Sequence, residues 1–277
     1  MMPNDSKPNR RQMIGGAALL PFALSAGGAA AQTAQGQPVI GNPSLPEPAD
    51  KRMGWAIVGL GSFGVGQVIP GFVSAQKSRM AAFVSGNAEK AAMIGQRYGV
   101  SRFYNYDNFD SIAGNPDIDC VYIVLPVGLH AEYTIRALKA GKNVLCEKPM
   151  ASTPAECEAM IAAAKTADRQ LGVAYRVHFE PANIEALRRI QAGEIGTIRH
   201  IQCDHGFNAN PEAWRPHKWR LEKALGGGGS MYDVGIYGLN TSLMMTPDDR
   251  PVAASAVYVY PKDDPRFRKW RAVSTGG

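Results

Sequence analysis

Trp55-Ala56-Ile57-Val58-Gly59-Leu60-Gly61-Ser62-Phe63-Gly64 is the stretch on which the reading of this chain turns. It begins as a short apolar run without polar alternation, which suits a parallel strand buried on both faces. The run leads into a G-x-G-x-x-G pattern at Gly59, Gly61 and Gly64. Glycines at that spacing serve a tight turn, an unobstructed backbone beside a pyrophosphate, and close packing of the next helix on the strand. The free N–H groups and positive dipole end of that helix face the phosphates. Gly59, Gly61, Ser62, Phe63 and Gly64 therefore form a candidate phosphate cradle. Gly66 and Pro70 predict an irregular helix behind it.

Downstream, strands and helices alternate. Strands are predicted at Arg79–Ser85, Asp119–Leu125, Lys142–Glu147 and Leu171–Tyr175. A short helix is predicted at Asn108–Ala113, and a longer one at His130–Ala140 closed by Gly141. Thr153-Pro154-Ala155-Glu156 is a capping box with proline at the first helical position, opening a helix that runs to about Asp168. This alternation implies an α/β fold with a doubly wound, mostly parallel sheet. Ligands of such sheets bind beyond the carboxyl ends of the strands. Pro126 to His130, Glu147-Lys148-Pro149 and Tyr175-Arg176 fall there, so Pro126, His130, Glu147, Lys148, Tyr175 and Arg176 join the candidate cofactor-binding set.

The second strand carries the cofactor preference. An NAD site usually places Asp or Glu at its end to hold the ribose 2′-hydroxyl. Here the sequence is Ser85-Gly86-Asn87-Ala88-Glu89-Lys90. Ser85 and Asn87 can hydrogen-bond a 2′-phosphate and Lys90 can neutralise it, which favours NADP. The competing reading makes Asn87 a helix cap and Lys90 a surface charge.

The flanks read differently. Residues 9 to 31 combine Arg10-Arg11, a mildly apolar segment broken by Pro21, and Ala29-Ala30-Ala31. Residues 1–31 are expected to be a twin-arginine-type export signal rather than a membrane span, which implies a periplasmic protein. Residues 32–52, with Pro38, Pro43, Pro46 and Pro48, are expected to be an extended arm. The net charge of +6 includes Lys7, Arg10 and Arg11 of that leader, and no long basic run points to nucleic acid. Cys120, Cys146, Cys157 and Cys203 match no zinc or C-x-x-C spacing.

Two further features bear on chemistry. Lys148 at a strand's carboxyl end is either a functional ammonium beside a nicotinamide or an exposed loop lysine. Asp233 and Tyr237 lie four apart in Gly226-Gly-Gly-Gly-Ser-Met-Tyr-Asp-Val-Gly-Ile-Tyr237 and share one face if that stretch is helical. Oxidising an alcohol needs a base for its hydroxyl proton, and tyrosine can serve beside an ammonium. The alternative is a packed Tyr237 and a capping Asp233.

Taken together these segments resemble the glucose–fructose oxidoreductase family within the Gfo/Idh/MocA group. The resembling pieces are Gly59 to Gly64, Val84 to Ala91, Leu125-Pro126 with Leu129 to Glu132, Cys146 to Met150, Tyr175-Arg176 with His178, Trp219-Arg220-Leu221, and Gly227 through Asn240. The resemblance implies that Lys148, Asp233 and Tyr237 are the catalytic set, with Tyr237 as acid/base, and that Ser85 and Lys90 meet an NADP 2′-phosphate. It implies an exported enzyme with tightly held NADP that oxidises an aldose to its lactone and reduces a second sugar. It also implies a dimer or tetramer in which the arm reaches a neighbouring subunit. The domains expected are an NADP-binding Rossmann domain over residues 53–175 and an α+β domain with a mostly antiparallel sheet over residues 176–277.

Two departures stand out. Val127-Gly128 follows the strand proline, where the family often has asparagine. Val252 to Tyr260 begins a strand, yet the chain then closes without alternation or helical period, so the second domain reads as truncated and its stability and activity are in question. The rival functions are an NADP-dependent sugar dehydrogenase with an exchangeable cofactor, and a non-catalytic dinucleotide-binding protein.

Overall fold

The computed structural model describes residues 46–206, 219–220 and 222–257. Its centre is a parallel six-stranded sheet of β1 (Met53–Val58), β2 (Ser78–Val84), β3 (Phe103–Tyr104), β4 (Cys120–Ile123), β5 (Asn143–Glu147) and β6 (Leu171–Ala174). The strand order is β3-β2-β1-β4-β5-β6, so the winding reverses between β1 and β4. An open α/β sheet presents its ligand crevice at that reversal.

Period-2 alternation divides the strand residues between two cores. Ala56 and Val58 pack with Val121, Ile123, Val144 and Cys146 on one face, together with Phe109, Ile112 and Leu138. Ile57 and Phe83 point to the other face, against Val68, Ile69, Ala91 and Ile94. Ile57, Val58, Phe83 and Val84 are fully buried, as strands covered on both faces require. Each such side chain contributes roughly 1.5–3 kcal/mol of burial free energy.

The helices follow their local signals. The glycine loop enters a π-helical turn, Gly64–Val68, which continues as α1 (Ile69–Val73), the irregularity expected from Gly66 and Pro70. Helix α2 (Ala88–Tyr98) is capped by Asn87, whose side chain accepts from Lys90 N at 2.8 Å. Phe109–Gly114 is a 3-10 turn, and α3 (His130–Lys139) ends before Gly141 at φ 76°. Helix α4 (Pro154–Ala167) carries the full Thr153/Glu156 capping box.

After β6 come α5 (Pro181–Gln191), α6 (Lys223–Gly226) and α7 (Ile236–Met245), the last preceded by a π-helical turn at Met231–Gly235. Among the described residues no strand follows β6. The strand expected from Val252 is absent over residues 251–257, where Val252 and Val257 are 99% and 91% exposed. A strand exists through its partner's ladder, and among the described residues these have no such pairing. Tyr258 to Tyr260 lie outside the described residues, as do residues 1–31 and most of the arm. Within the arm, Ala49–Lys51 forms a 3-10 turn rather than extended chain, and Arg79 Nε donates to Ala49 O at 3.0 Å.

Candidate active site

Parallel register brings the predicted segments to one edge. Val58 aligns with Val84 of β2 and Ile123 of β4, Ile123 aligns with Cys146, and Glu147 aligns with Ala174. The residues that follow these positions (Gly59, Ser85, the turn through Pro126, Lys148 and Tyr175) therefore emerge together at the carboxyl side of the sheet.

The glycine loop fits a dinucleotide. Gly59 has φ 99°, and a Cβ there would lie 2.4 Å from Val124 O. A Cβ at Gly64 would lie 2.6 Å from Gly59 O, so helix and turn touch through backbone. A Cβ at Gly61 would meet nothing within 4 Å. Gly61, Ser62 and Phe63 are exposed at the cleft, whereas Gly64 is buried. The three positions thus divide into turn, open approach and close packing, as a pyrophosphate cradle requires.

At the end of β2, Ser85 is buried and its Oγ accepts from Asn87 N at 3.1 Å. Asn87 caps α2, as the competing reading has it. Lys90 is more than a surface charge, since its Nζ donates to Leu60 O of the glycine loop. The ammonium thus stands between the cradle and the start of α2.

The turn after β5 joins the sheet to the later helices. Lys148 Nζ donates to the backbone oxygen of Asp233 and lies 3.3 Å from Asp233 Oδ1. The same ammonium sits over the Tyr237 ring, 4.5 Å from its centroid. Its side chain is only 11% exposed, against the reading of an exposed loop lysine. The π-helical turn at Met231–Gly235 replaces the ordinary helix presumed from the spacing, and Asp233 and Tyr237 nevertheless reach one ammonium. Such turns widen the backbone locally and recur at functional sites.

Glu147 supports this turn from inside. Its Oε1 accepts from Tyr122 OH at 2.6 Å and its Oε2 from Lys148 N at 3.2 Å. Burial pushes the Glu147 carboxyl above the ordinary glutamate range, against the pull of these two donors. Tyr122 is pushed up as well, by burial and then by the charge of Glu147. Burial also raises Tyr175, with smaller contributions from Cys157 and Tyr237.

His130 turns its ring inward at the start of α3. It is 1% exposed, with Nδ1 2.8 Å from Pro149 O and Nε2 2.9 Å from Leu125 O. Both ring nitrogens are committed to backbone, so His130 ties the turn after β4 to the turn after β5 and offers no ring nitrogen to a cofactor. Burial pushes it toward the neutral form, opposed by the carbonyls at its nitrogens. Arg176 is exposed and pairs with Glu180, and its guanidinium carbon lies 5.9 Å from the Tyr237 ring centroid. It belongs beside the tyrosine.

Residue-by-residue reading misses three partners. Arg220 Nε donates to Asp233 Oδ2 at 2.9 Å, Tyr122 holds Glu147, and Tyr232 OH donates to Ser152 O at 3.0 Å. Trp219-Arg220 is visible in the sequence only as part of a resemblance, since a lone arginine carries no spacing signal. The Val127-Gly128 departure has a packing cause. Val127 is buried, and a Cβ at Gly128 would lie 2.0 Å from Ala224 O. A larger residue at 128 would push α6 off the turn after β4. The four cysteines are free, with Cys120 and Cys146 buried as small core residues.

Sheet order, glycine loop and clustered turns define a dinucleotide-binding α/β protein. Residues 53–175 match the family model for the oxidoreductase family with an NAD-binding Rossmann fold, and residues 184–270 match that of the GFO/IDH/MocA C-terminal domain. The chain belongs to the Gfo/Idh/MocA oxidoreductase family. It is 35% identical over 208 residues to a D-xylose 1-dehydrogenase [NADP(+)] of Haloarcula marismortui, covering 74% of this chain and 57% of that protein. Among solved structures, aldose-aldose oxidoreductase from Caulobacter crescentus complexed with glycerol superposes with a TM-score of 0.67 at 46% identity, covering 71% of this chain and 58% of that one. An inositol dehydrogenase homolog complexed with NAD+ from Azotobacter vinelandii gives 0.64 at 30% identity, covering 74% and 56%. The chain spans between 55% and 60% of the length of the first four curated relatives it matches. Among the described residues no helix is long and apolar enough to cross a membrane.

Proposed function

We propose that this chain carries the site of an NADP-dependent sugar oxidoreductase that oxidises an aldose to its lactone, keeps the dinucleotide bound, and passes the reducing equivalents to a second sugar. The observation that carries this reading is the Lys148 ammonium, held by Asp233 and lying over Tyr237 at the carboxyl end of β5. A bound nicotinamide supplies the site that accepts or donates hydride at the sugar carbon. The protein must then handle a proton at the sugar oxygen. Tyr237 is the group for that proton, as base in oxidation and acid in reduction. Lys148 places its ammonium over the tyrosine ring, 4.5 Å from the centroid. Asp233 fixes the lysine by two contacts, so the charge does not swing into solvent.

The 2′-phosphate preference rests on Ser85 and Lys90. No carboxylate occupies Ser85-Gly86-Asn87, where an acid would repel a phosphate. Lys90 reaches back to Leu60 of the glycine loop, which supports its proposed role beside the adenosine ribose. Use of a second sugar is supported by likeness to the aldose-aldose oxidoreductase, whose name refers to two aldoses, and retention of the dinucleotide belongs to the same proposal. Action in the periplasm as a homo-oligomer is part of the same proposal and rests on residues 1–31 and the arm. An exchangeable-cofactor dehydrogenase is the second reading, favoured by likeness to the xylose dehydrogenase.

Anaerobic mixing of the purified chain with a panel of aldoses, following dinucleotide absorbance, tests the proposal. Cofactor absorbance before any addition, reduction by an aldose and reoxidation by a second sugar are expected. Protein that purifies free of dinucleotide and turns over only with added NADP points to the exchangeable dehydrogenase. Protein that binds NADP without reducing it under any sugar overturns the enzymatic reading.

A further inference from the structure

Arg220 has no part in the roles above, yet it meets the same carboxylate. Its Nε donates to Asp233 Oδ2 at 2.9 Å, while Asp233 Oδ1 lies 3.3 Å from Lys148 Nζ. One carboxylate thus has a cation on each oxygen. The guanidinium lies over the Trp219 ring, 4.3 Å from its centroid, which restrains its rotation. The backbone is shaped to keep Arg220 there. A Cβ at Gly226 would fall 2.7 Å from Arg220 O and 3.0 Å from Trp219 O, so the first glycine of the run lets the chain fold back directly onto this dipeptide.

We propose that Arg220 is a positioning residue for the proton-transfer centre: by holding one oxygen of Asp233 it keeps the other turned to Lys148, and thereby keeps the ammonium over Tyr237. The inference rests on the reading of Lys148, Asp233 and Tyr237 as the reacting centre. Three contacts define the orientation: the lysine on the Asp233 backbone oxygen, the lysine on Oδ1, and the arginine on Oδ2. Without the third, the partly exposed carboxylate can turn to water and take its hold on Lys148 with it. Loss of this charge-assisted hydrogen bond from the active geometry corresponds to roughly 10- to 100-fold in rate.

Arg220→Ala and Arg220→Lys in the full chain with NADP bound test this. Arg220→Ala is expected to lower kcat roughly 10- to 100-fold with KM for the sugar and NADP affinity within about twofold of wild type. Added guanidinium chloride is expected to restore part of the rate, whereas sodium chloride at equal ionic strength does not. Arg220→Lys, which keeps one charge without the planar fork, is expected to fall between the two. Unchanged kcat in Arg220→Ala overturns the proposal. So does equal loss of kcat and cofactor binding in both variants without rescue, which marks a residue needed only for folding. A crystal structure of the variant supplies a readout independent of activity. If wild type reduces no dinucleotide with any sugar, the functional reading fails, and the variant structure still decides. Asp233 turned away from Lys148 supports the positioning role, and an unmoved Asp233 refutes it.

Discussion

Tyr237, Lys148 and Lys90 carry the residue-scale expectations. Tyr237→Phe removes the hydroxyl and keeps the ring under the lysine. It is expected to bind NADP as wild type does and to lose about 10²- to 10⁴-fold in hydride transfer, the usual worth of a positioned acid or base. Single-turnover absorbance checks this, and a rate near wild type rules Tyr237 out as the proton carrier. Lys90→Ala leaves the Asn87 cap intact, because the cap uses the Lys90 backbone N–H. It is expected to weaken NADP about tenfold or more by loss of a charged contact, with little effect on NAD. Paired binding titrations that show equal loss for both dinucleotides would remove the 2′-phosphate role. The sequence names these residues from type and position, whereas Arg220 and Tyr122 emerge only from their partners.

Among the elements, the turn between β4 and α3 shows what a departure from pattern can mean. Read alone, Val127-Gly128 only puts the cofactor loop in doubt. In the structure Gly128 lets α6 sit on that turn, since a Cβ would lie 2.0 Å from Ala224 O. Gly128→Ala is expected to destabilise by about 1–3 kcal/mol through overpacking against backbone, read as a lower urea midpoint. The capping box of α4 is a simpler case, legible because its four residues are contiguous. Thr153→Ala removes the acceptor for Glu156 N and is expected to cost about 1 kcal/mol with the site unchanged. A wild-type urea midpoint in that variant contradicts the cap. The π-helical turn before α7 is not legible, because the same i, i+4 spacing suits an ordinary helix.

At the level of the whole molecule, stability should depend on pH through His130. Burial lowers its pKa below the ordinary value of about 6.5. A group with a depressed folded pKa gives stability that is present above its unfolded pKa and lost as pH falls through the folded one. Wild type is therefore expected to lose stability as pH falls below about 6.5 relative to His130→Asn in parallel urea titrations. A parallel pH dependence in the two proteins removes His130 as the cause. By itself the sequence determined the parallel α/β alternation, the glycine cradle, the capping box and the presence of Lys148, Asp233 and Tyr237. The first three are written in short-range periodicity and contiguous residue types, whereas the sequence names Lys148, Asp233 and Tyr237 without choosing between a functional and a structural use. Only the tertiary structure decided that His130 binds backbone at both nitrogens, that Lys90 turns to Leu60, and that Arg220 shares Asp233 with Lys148. Apart from the short-range contact of His130 with Leu125, each of these joins segments 13 or more residues apart along the chain, brought together by the folding of the sheet and its turns, and no local pattern encodes such a contact.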